Sequence, residues 1–207
     1  MEFMDVVRQR LCIREYAGLP VDEATMNRLV SAAEDAPCAA NLRPWAIGML
    51  LDRARIESYG QRAQKWLLNH FAQVSHDVAA RQMLEDEDYS MFQNAPALTL
   101  IMARASDAQS IEDCCLAAEN FILAAQDLGL QALWTGICRP WLNHPAVKKE
   151  LGIPKSFQVI APIVLGYPAT AQAPAASKSR GVKMADDPVG AKRGSTSAAS
   201  LGRLAYS

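Results

Sequence analysis

An α+β sandwich, with helices packed around one sheet, is the fold class that the sequence predicts. Three observations carry it. Two apolar runs of strand length, residues 97–102 and 159–165, read as strands buried on both faces. Between and before them, apolar residues recur at helical spacing in several stretches, most clearly over residues 111–128. Helices and strands also mix without strict β-α-β alternation, and no internal repeat or domain-sized linker divides the 207 residues. One domain is therefore expected, long enough to bury a full core.

Composition narrows the function classes. A formal net charge of -1 offers no field for nucleic acid or an anionic membrane. No run approaches the ~20 apolar residues of a membrane span, and Met1-Glu2-Phe3-Met4-Asp5 lacks the apolar core of a signal peptide, so a cytoplasmic protein is expected. The five cysteines (Cys12, Cys38, Cys114, Cys115, Cys138) are odd in number and form no C-x-x-C pair. His70, His76 and His144 show no metal-ligand spacing. Reduced, mostly structural thiols are expected, and no metal.

In chain order, Phe3, Val6, Val7 and Leu11 share one side of a short amphipathic helix. Arg10-Leu11-Cys12-Ile13-Arg14-Glu15-Tyr16 follows. If that piece is extended, Arg10 and Arg14 point the same way and make a cationic edge; otherwise it is a solvated charged turn. Asp22 can cap the next helix, which Pro37 ends. Small side chains and one amide, Asn41, fill the loop to Pro44 and leave backbone groups bare, either to admit a flat ligand or merely to connect helix to strand. A strand over residues 45–51 comes next. Residues 55–92 carry a loose helical pattern and are expected to form a mobile cover. Ser110 and Asp113 have capping-box spacing ahead of the clearest helix, which Gly129 can close. Beyond Ala169 no apolar period survives, although Lys178-Ser179-Arg180 places two cations around a hydroxyl.

There is no phosphate-binding G-x-x-x-x-G-K-[ST] or G-x-G-x-x-G loop, no G-x-S-x-G elbow and no H-E-x-x-H. An enzyme with this sequence would rely on a bound cofactor for its hard chemistry. Four segments, in order, resemble the FMN-dependent nitroreductase family. Arg10-Leu11-Cys12-Ile13-Arg14-Glu15-Tyr16 is similar to its early Arg-x-Ser-x-Arg motif. Ala36-Pro37-Cys38-Ala39-Ala40-Asn41-Leu42-Arg43-Pro44-Trp45 is similar to its Ala-Pro-Ser-x-x-Asn-x-Gln-Pro-Trp motif. Leu128-Gly129-Leu130 with Trp134-Thr135-Gly136, and the late pair Lys178 and Arg180 after Gly166-Tyr167-Pro168, complete the set.

The resemblance implies a three-layer sandwich with a central, mostly antiparallel sheet flanked by helices, in an intertwined homodimer. It implies a single FMN-binding domain over residues 1–207, with residues 169–207 an extended tail on the partner subunit. Arg10 and Cys12, with Lys178 and Arg180, would lie at the FMN phosphate, Leu11 would belong to the cofactor-binding set with them, and Arg14 would face the pyrimidine edge. Pro37, Cys38, Ala39 and Asn41 would come from the partner, and backbone N–H groups near Thr135 and Gly136 would lie by flavin N5. The implied activity is NAD(P)H oxidation, with NADH or NADPH as donor and ping-pong hydride transfer to nitroaromatic, quinone or similar flat acceptors. No catalytic side chain is assigned. Alternatives are a flavin-binding module without turnover, for sensing or storage, and an FMN enzyme of the same fold that reduces enones or halogenated aromatics. Three residues depart from the family pattern: Cys12 and Cys38 replace serine and Arg43 replaces glutamine. Cys12, between two arginines, is expected to be the most oxidisable thiol.

Overall fold

The computed structural model describes residues 2–10 and 15–170. Its helices are α1 (Phe3–Gln9), α2 (Glu23–Glu34), α3 (Arg53–Asn69), α4 (Phe71–Val74), α5 (Val78–Glu85), α6 (Ala108–Asp127), α7 (Arg139–Leu142) and α8 (Pro145–Glu150). Its strands are β1 (Trp45–Leu50), β2 (Ala97–Ala103), β3 (Gln131–Trp134) and β4 (Gln158–Gly166), and 3-10 turns occupy Ala39–Asn41 and Gly136–Cys138.

Local chemistry sets the helix ends. The Asp22 carboxylate accepts the Thr25 N–H at 2.7 Å and caps α2, as its sequence predicts. The cap of α6 differs from expectation. Asp107 accepts both the N–H and the hydroxyl of Ser110, at 2.8 and 2.7 Å, so Ser110 lies inside the helix rather than opening it. At its far end Gly129 takes φ 76°, while Gly129 N–H and Leu130 N–H donate to the carbonyls of Gln126 and Ala125. That is the left-handed glycine close expected there.

The strands pair antiparallel throughout, in the order β1-β2-β4-β3, leaving β1 and β3 as edges. Side chains alternate across the sheet into two cores. On one face Ile101, Ala103, Ile163 and Leu165 meet Phe121 and Ala118 of α6 and Leu29 of α2. On the other, Leu98, Leu100, Met102 and Val164 meet Ile56 and Leu67 of α3 and Trp141 of α7. A bulge between Ile101 and Met102 places Ile160 and Ala161 both toward α6. The result is the expected three layers. The loosely patterned segment 55–92 supplies a packed outer layer, with Ile56, Tyr59, Ala63, Leu67 and Phe71 buried.

α6 also holds α2 by a hydrogen bond from Asn120 Nδ2 to the Ala32 carbonyl at 3.1 Å. Where β4 ends, a Cβ on Gly166 would lie 2.7 Å from Pro96 and 2.9 Å from Tyr16, so only glycine fits. The chain beside it is Tyr16, bridged to Pro168, with Ala17 N–H donating to the Tyr167 carbonyl at 2.8 Å. Among the described residues no helix is long and apolar enough to cross a membrane.

Candidate functional site

The loop between α2 and β1 is built by strain and few bonds. Within four residues, Ala40, Asn41 and Arg43 take φ of 49°, 55° and 45°. Asparagine tolerates that left-handed region, but alanine and arginine do so at a cost of about 1–3 kcal/mol each. The side chains of Ala40, Asn41 and Leu42 are exposed, while Cys38 packs against the core that α6 covers. Hydrogen bonds add to that contact. Ala39 N–H donates to Asp113 Oδ2 at 3.2 Å, and Arg43 N–H donates to Cys38 Sγ at 3.3 Å. Beyond the strained stretch Arg104 pins the strand entry: its N–H meets the Pro44 carbonyl at 2.8 Å and its Nε the Trp45 carbonyl at 3.1 Å. A cleft of about 350 Å³ between α2 and β1 lies beside the loop, with Glu34, Arg43, Trp45 and Arg104 on its walls.

The turn after β3 is built the opposite way. Thr135 is buried, and both its N–H and its hydroxyl donate to the Pro162 carbonyl, at 2.8 and 3.2 Å. Its carbonyl accepts the Cys138 thiol at 2.9 Å. Every polar group of Thr135 is thus engaged within the fold, so it serves as a post rather than a donor to a ligand. Gly136, exposed, opens the 3-10 turn, where the first N–H groups have no intrahelical acceptor. A Cβ there would meet only the Trp134 ring, at an ordinary 3.7 Å.

The loop enters the sheet at the end marked by Trp45, Ala103 and Gln158, whereas Thr135 sits beside Pro162, level with Leu100 and Gly48 near mid-sheet, and on the opposite edge. Three inter-strand spacings, about 14 Å, separate the edge strands, so one chain does not bring Pro37, Cys38, Ala39 and Asn41 to Thr135 and Gly136. Arg10, at the end of α1, has its Nε 4.0 Å from Glu119 Oε1 on α6, both side chains substantially exposed. Leu11, Cys12, Arg14, Lys178, Arg180 and the tail lie outside the described residues, and the expectation for the Cys12 thiol lies there with them.

Sequence reasoning missed one residue, Asp113. Its S-x-x-D spacing from Ser110 suggested a cap, whereas its carboxylate reaches the loop 74 positions earlier in the chain. The cysteines divide by burial. Desolvation pushes the Cys114 and Cys138 thiols up to about 12 and also raises Cys115, while Cys38 is half-buried in the loop. No group of three or more metal-ligating side chains occurs among the described residues.

Comparison with known proteins covers most of the chain. The family model described as "Nitroreductase family" matches residues 7–167. A protein of Archaeoglobus fulgidus, named provisionally as an NADH dehydrogenase/NAD(P)H nitroreductase, is 26% identical over 167 residues, covering 81% of this chain and 86% of its own. A chloronitrobenzene nitroreductase of Comamonas testosteroni is 23% identical over 199 residues, covering 79% of this chain and 85% of its own. Among solved structures, a nitroreductase with bound FMN from Bacteroides fragilis superposes with a TM-score of 0.71 at 24% identity, covering 91% of this chain and 98% of that one.

Proposed function

Because the chain belongs to the nitroreductase family, we propose that it is an FMN-dependent NAD(P)H oxidoreductase working as a homodimer on nitroaromatics, quinones or similar flat acceptors. The observation that carries this reading is the division of the motif segments between two sheet edges. The loop precedes β1 at one edge and the turn follows β3 at the other, and each includes exposed residues. A second copy supplies the missing half. An unpartnered apolar surface suits such a copy: Phe3, Met4 and Val7 of α1 are 67%, 51% and 40% exposed, and Leu116 of α6 is 46% exposed.

The residues present fit FMN. A flavin ring needs backbone donors at a flat wall, and Gly136 offers an exposed N–H held in place by the Thr135 post. Its phosphate carries about -1.5 to -2 charges, which cations complement. In this reading Arg10 complements that anion, with Cys12, Lys178 and Arg180 completing the set and Arg14 facing the ring. Pro37, Cys38, Ala39 and Asn41 of the second copy close the wall and exclude water, and the tail over residues 169–207 packs across the partner. With roughly 31 heavy atoms at about 0.3 kcal/mol each, FMN binds with around 9 kcal/mol, a submicromolar cofactor. Bound FMN supplies two-electron transfer from nicotinamide to acceptor, and the chain supplies binding, orientation and a dry site, with no side chain as acid, base or nucleophile.

A visible spectrum tests this. The purified dimer is expected to be yellow, to bleach anaerobically with NADH or NADPH, and to regain colour when a nitroaromatic or quinone is added. A colourless protein that neither binds FMN nor gains NAD(P)H oxidation from it would overturn the proposal. A yellow protein that light reduces but NAD(P)H does not would be a flavin-binding module instead.

A further inference from the structure

We propose that Asp113 is the positioning residue of the loop Cys38–Arg43, fixing through Ala39 the left-handed backbone that forms the partner's flavin wall; the flavin part rests on the functional reading above. Asp113 is 2% exposed, and both its oxygens are committed. Oδ2 accepts the Ala39 N–H at 3.2 Å and Oδ1 accepts Gln109 Nε2 at 3.0 Å. Among the described residues it makes no ion pair. A carboxylate buried without a cation is unfavourable unless its hydrogen bonds compensate, and its charge makes those bonds the stronger kind. The molecule places this group against the first residue of its most strained backbone.

The other hydrogen bonds of the strained stretch stay inside the loop: Asn41 N–H donates to the Cys38 carbonyl at 3.3 Å and Leu42 N–H to the Ala39 carbonyl at 3.1 Å. Ala40, Asn41 and Leu42 are exposed, and the thiol bond from Arg43 to Cys38 joins the loop only to itself. The Asp113–Ala39 bond is the side-chain tie from the loop to α6. Without it, relaxation of Ala40 and Arg43 toward right-handed or extended backbone relieves strain and turns the amides of the wall away. The neighbouring helix is tied separately, by Asn120 to the Ala32 carbonyl. Shaping the loop and packing α2 are therefore separable functions of α6.

Three variants separate them. Asp113→Ala is expected to weaken FMN binding about tenfold or more by loss of preorganisation, and to alter the visible circular dichroism of the bound flavin. Asp113→Asn keeps an oxygen for the Ala39 N–H and is expected to return affinity to within about threefold of the parent. Asn120→Ala is expected to lower Tm while leaving the FMN Kd within about twofold, its contact being independent of the loop. Amide hydrogen exchange provides a readout free of flavin: Asp113→Ala speeds exchange over residues 39–43 while residues 114–127 stay protected. Parental exchange in that loop, or an Asn120→Ala protein that loses FMN as severely as Asp113→Ala, would overturn the assignment. If the parent binds no FMN, the functional reading fails, and the exchange data alone decide whether Asp113 shapes the loop.

Discussion

The two edges of the sheet solve the same problem by opposite means. At the β1 edge, residues 40–43 are exposed, three of them left-handed, and the loop is tied by a carboxylate on the Ala39 N–H, a thiol on the Arg43 N–H and two backbone bonds of its own. At the β3 edge, Thr135 and Cys138 are buried and fully bonded to one another and to Pro162. One edge is shaped and open; the other is locked and presents a single exposed glycine.

The cysteines measure this difference most strongly. With its thiol pushed up to about 12, Cys138 at pH 8 is thiolate in only about one molecule in ten thousand, and it is buried as well. Cys38 is expected to react with iodoacetamide at least about a hundredfold faster than Cys138 or Cys114 in the native protein, as read by mass spectrometry against time. Equal rates would mean that the β3 edge opens as readily as the loop.

Stability should divide the same way. Thr135→Val removes a buried hydroxyl from the Pro162 carbonyl and is expected to cost about 1 kcal/mol in urea denaturation. Ala40→Gly relieves a left-handed alanine, and is expected to be neutral or stabilising by up to about 1 kcal/mol, because the strain relieved offsets the added freedom of the unfolded chain. A loss at Ala40 equal to that at Thr135 would erase the distinction.

Acid gives a smaller effect of stated sign. The Ser110 hydroxyl and N–H hold the Asp107 carboxyl below the usual carboxylate range. A folded pKa below the unfolded one adds stability that is full above the ordinary aspartate value and is lost as pH falls through the folded value. Between pH 6 and 3, exchange corrected for its intrinsic pH dependence is expected to rise first at residues 107–110, where Asp107 caps α6. Residues 135–138, held by a hydroxyl and a thiol, should lag. Asp107→Asn should flatten the early rise.

How legible these regions were follows from the range of their interactions. Strands β1, β2 and β4, the Asp22 cap and the Gly129 close depend on apolar period and on neighbours within five residues, and the sequence carries them, whereas the short edge strand β3 has too few residues to show a period. The spacing points to Ser110 as the cap in place of Asp107 because D-x-x-S and S-x-x-D overlap there, and only backbone geometry decides which residue caps. Residues 55–92 looked loose because their apolar residues are interleaved with charge, yet α3 buries one stripe against the sheet. Asp113 and the Thr135 post act across 74 and 27 positions, and no local pattern encodes such partners. Of the early motif the described residues include Arg10, paired with Glu119, together with Glu15 and Tyr16, while residues 11–14 lie outside them.

The central claim is that the β1-edge loop of one chain and the β3-edge turn of another form one flavin site. Two obstructing variants, Ala39→Phe and Gly136→Phe, can be coexpressed with different tags and the mixed dimer purified through both. Each variant alone is expected to hold no FMN. In the mixed dimer one site carries both lesions and the other neither, so the account predicts about half the flavin of the parent dimer and NAD(P)H oxidation in proportion. A mixed dimer as empty as the two variants would place loop and turn in the same site of one chain and contradict the account.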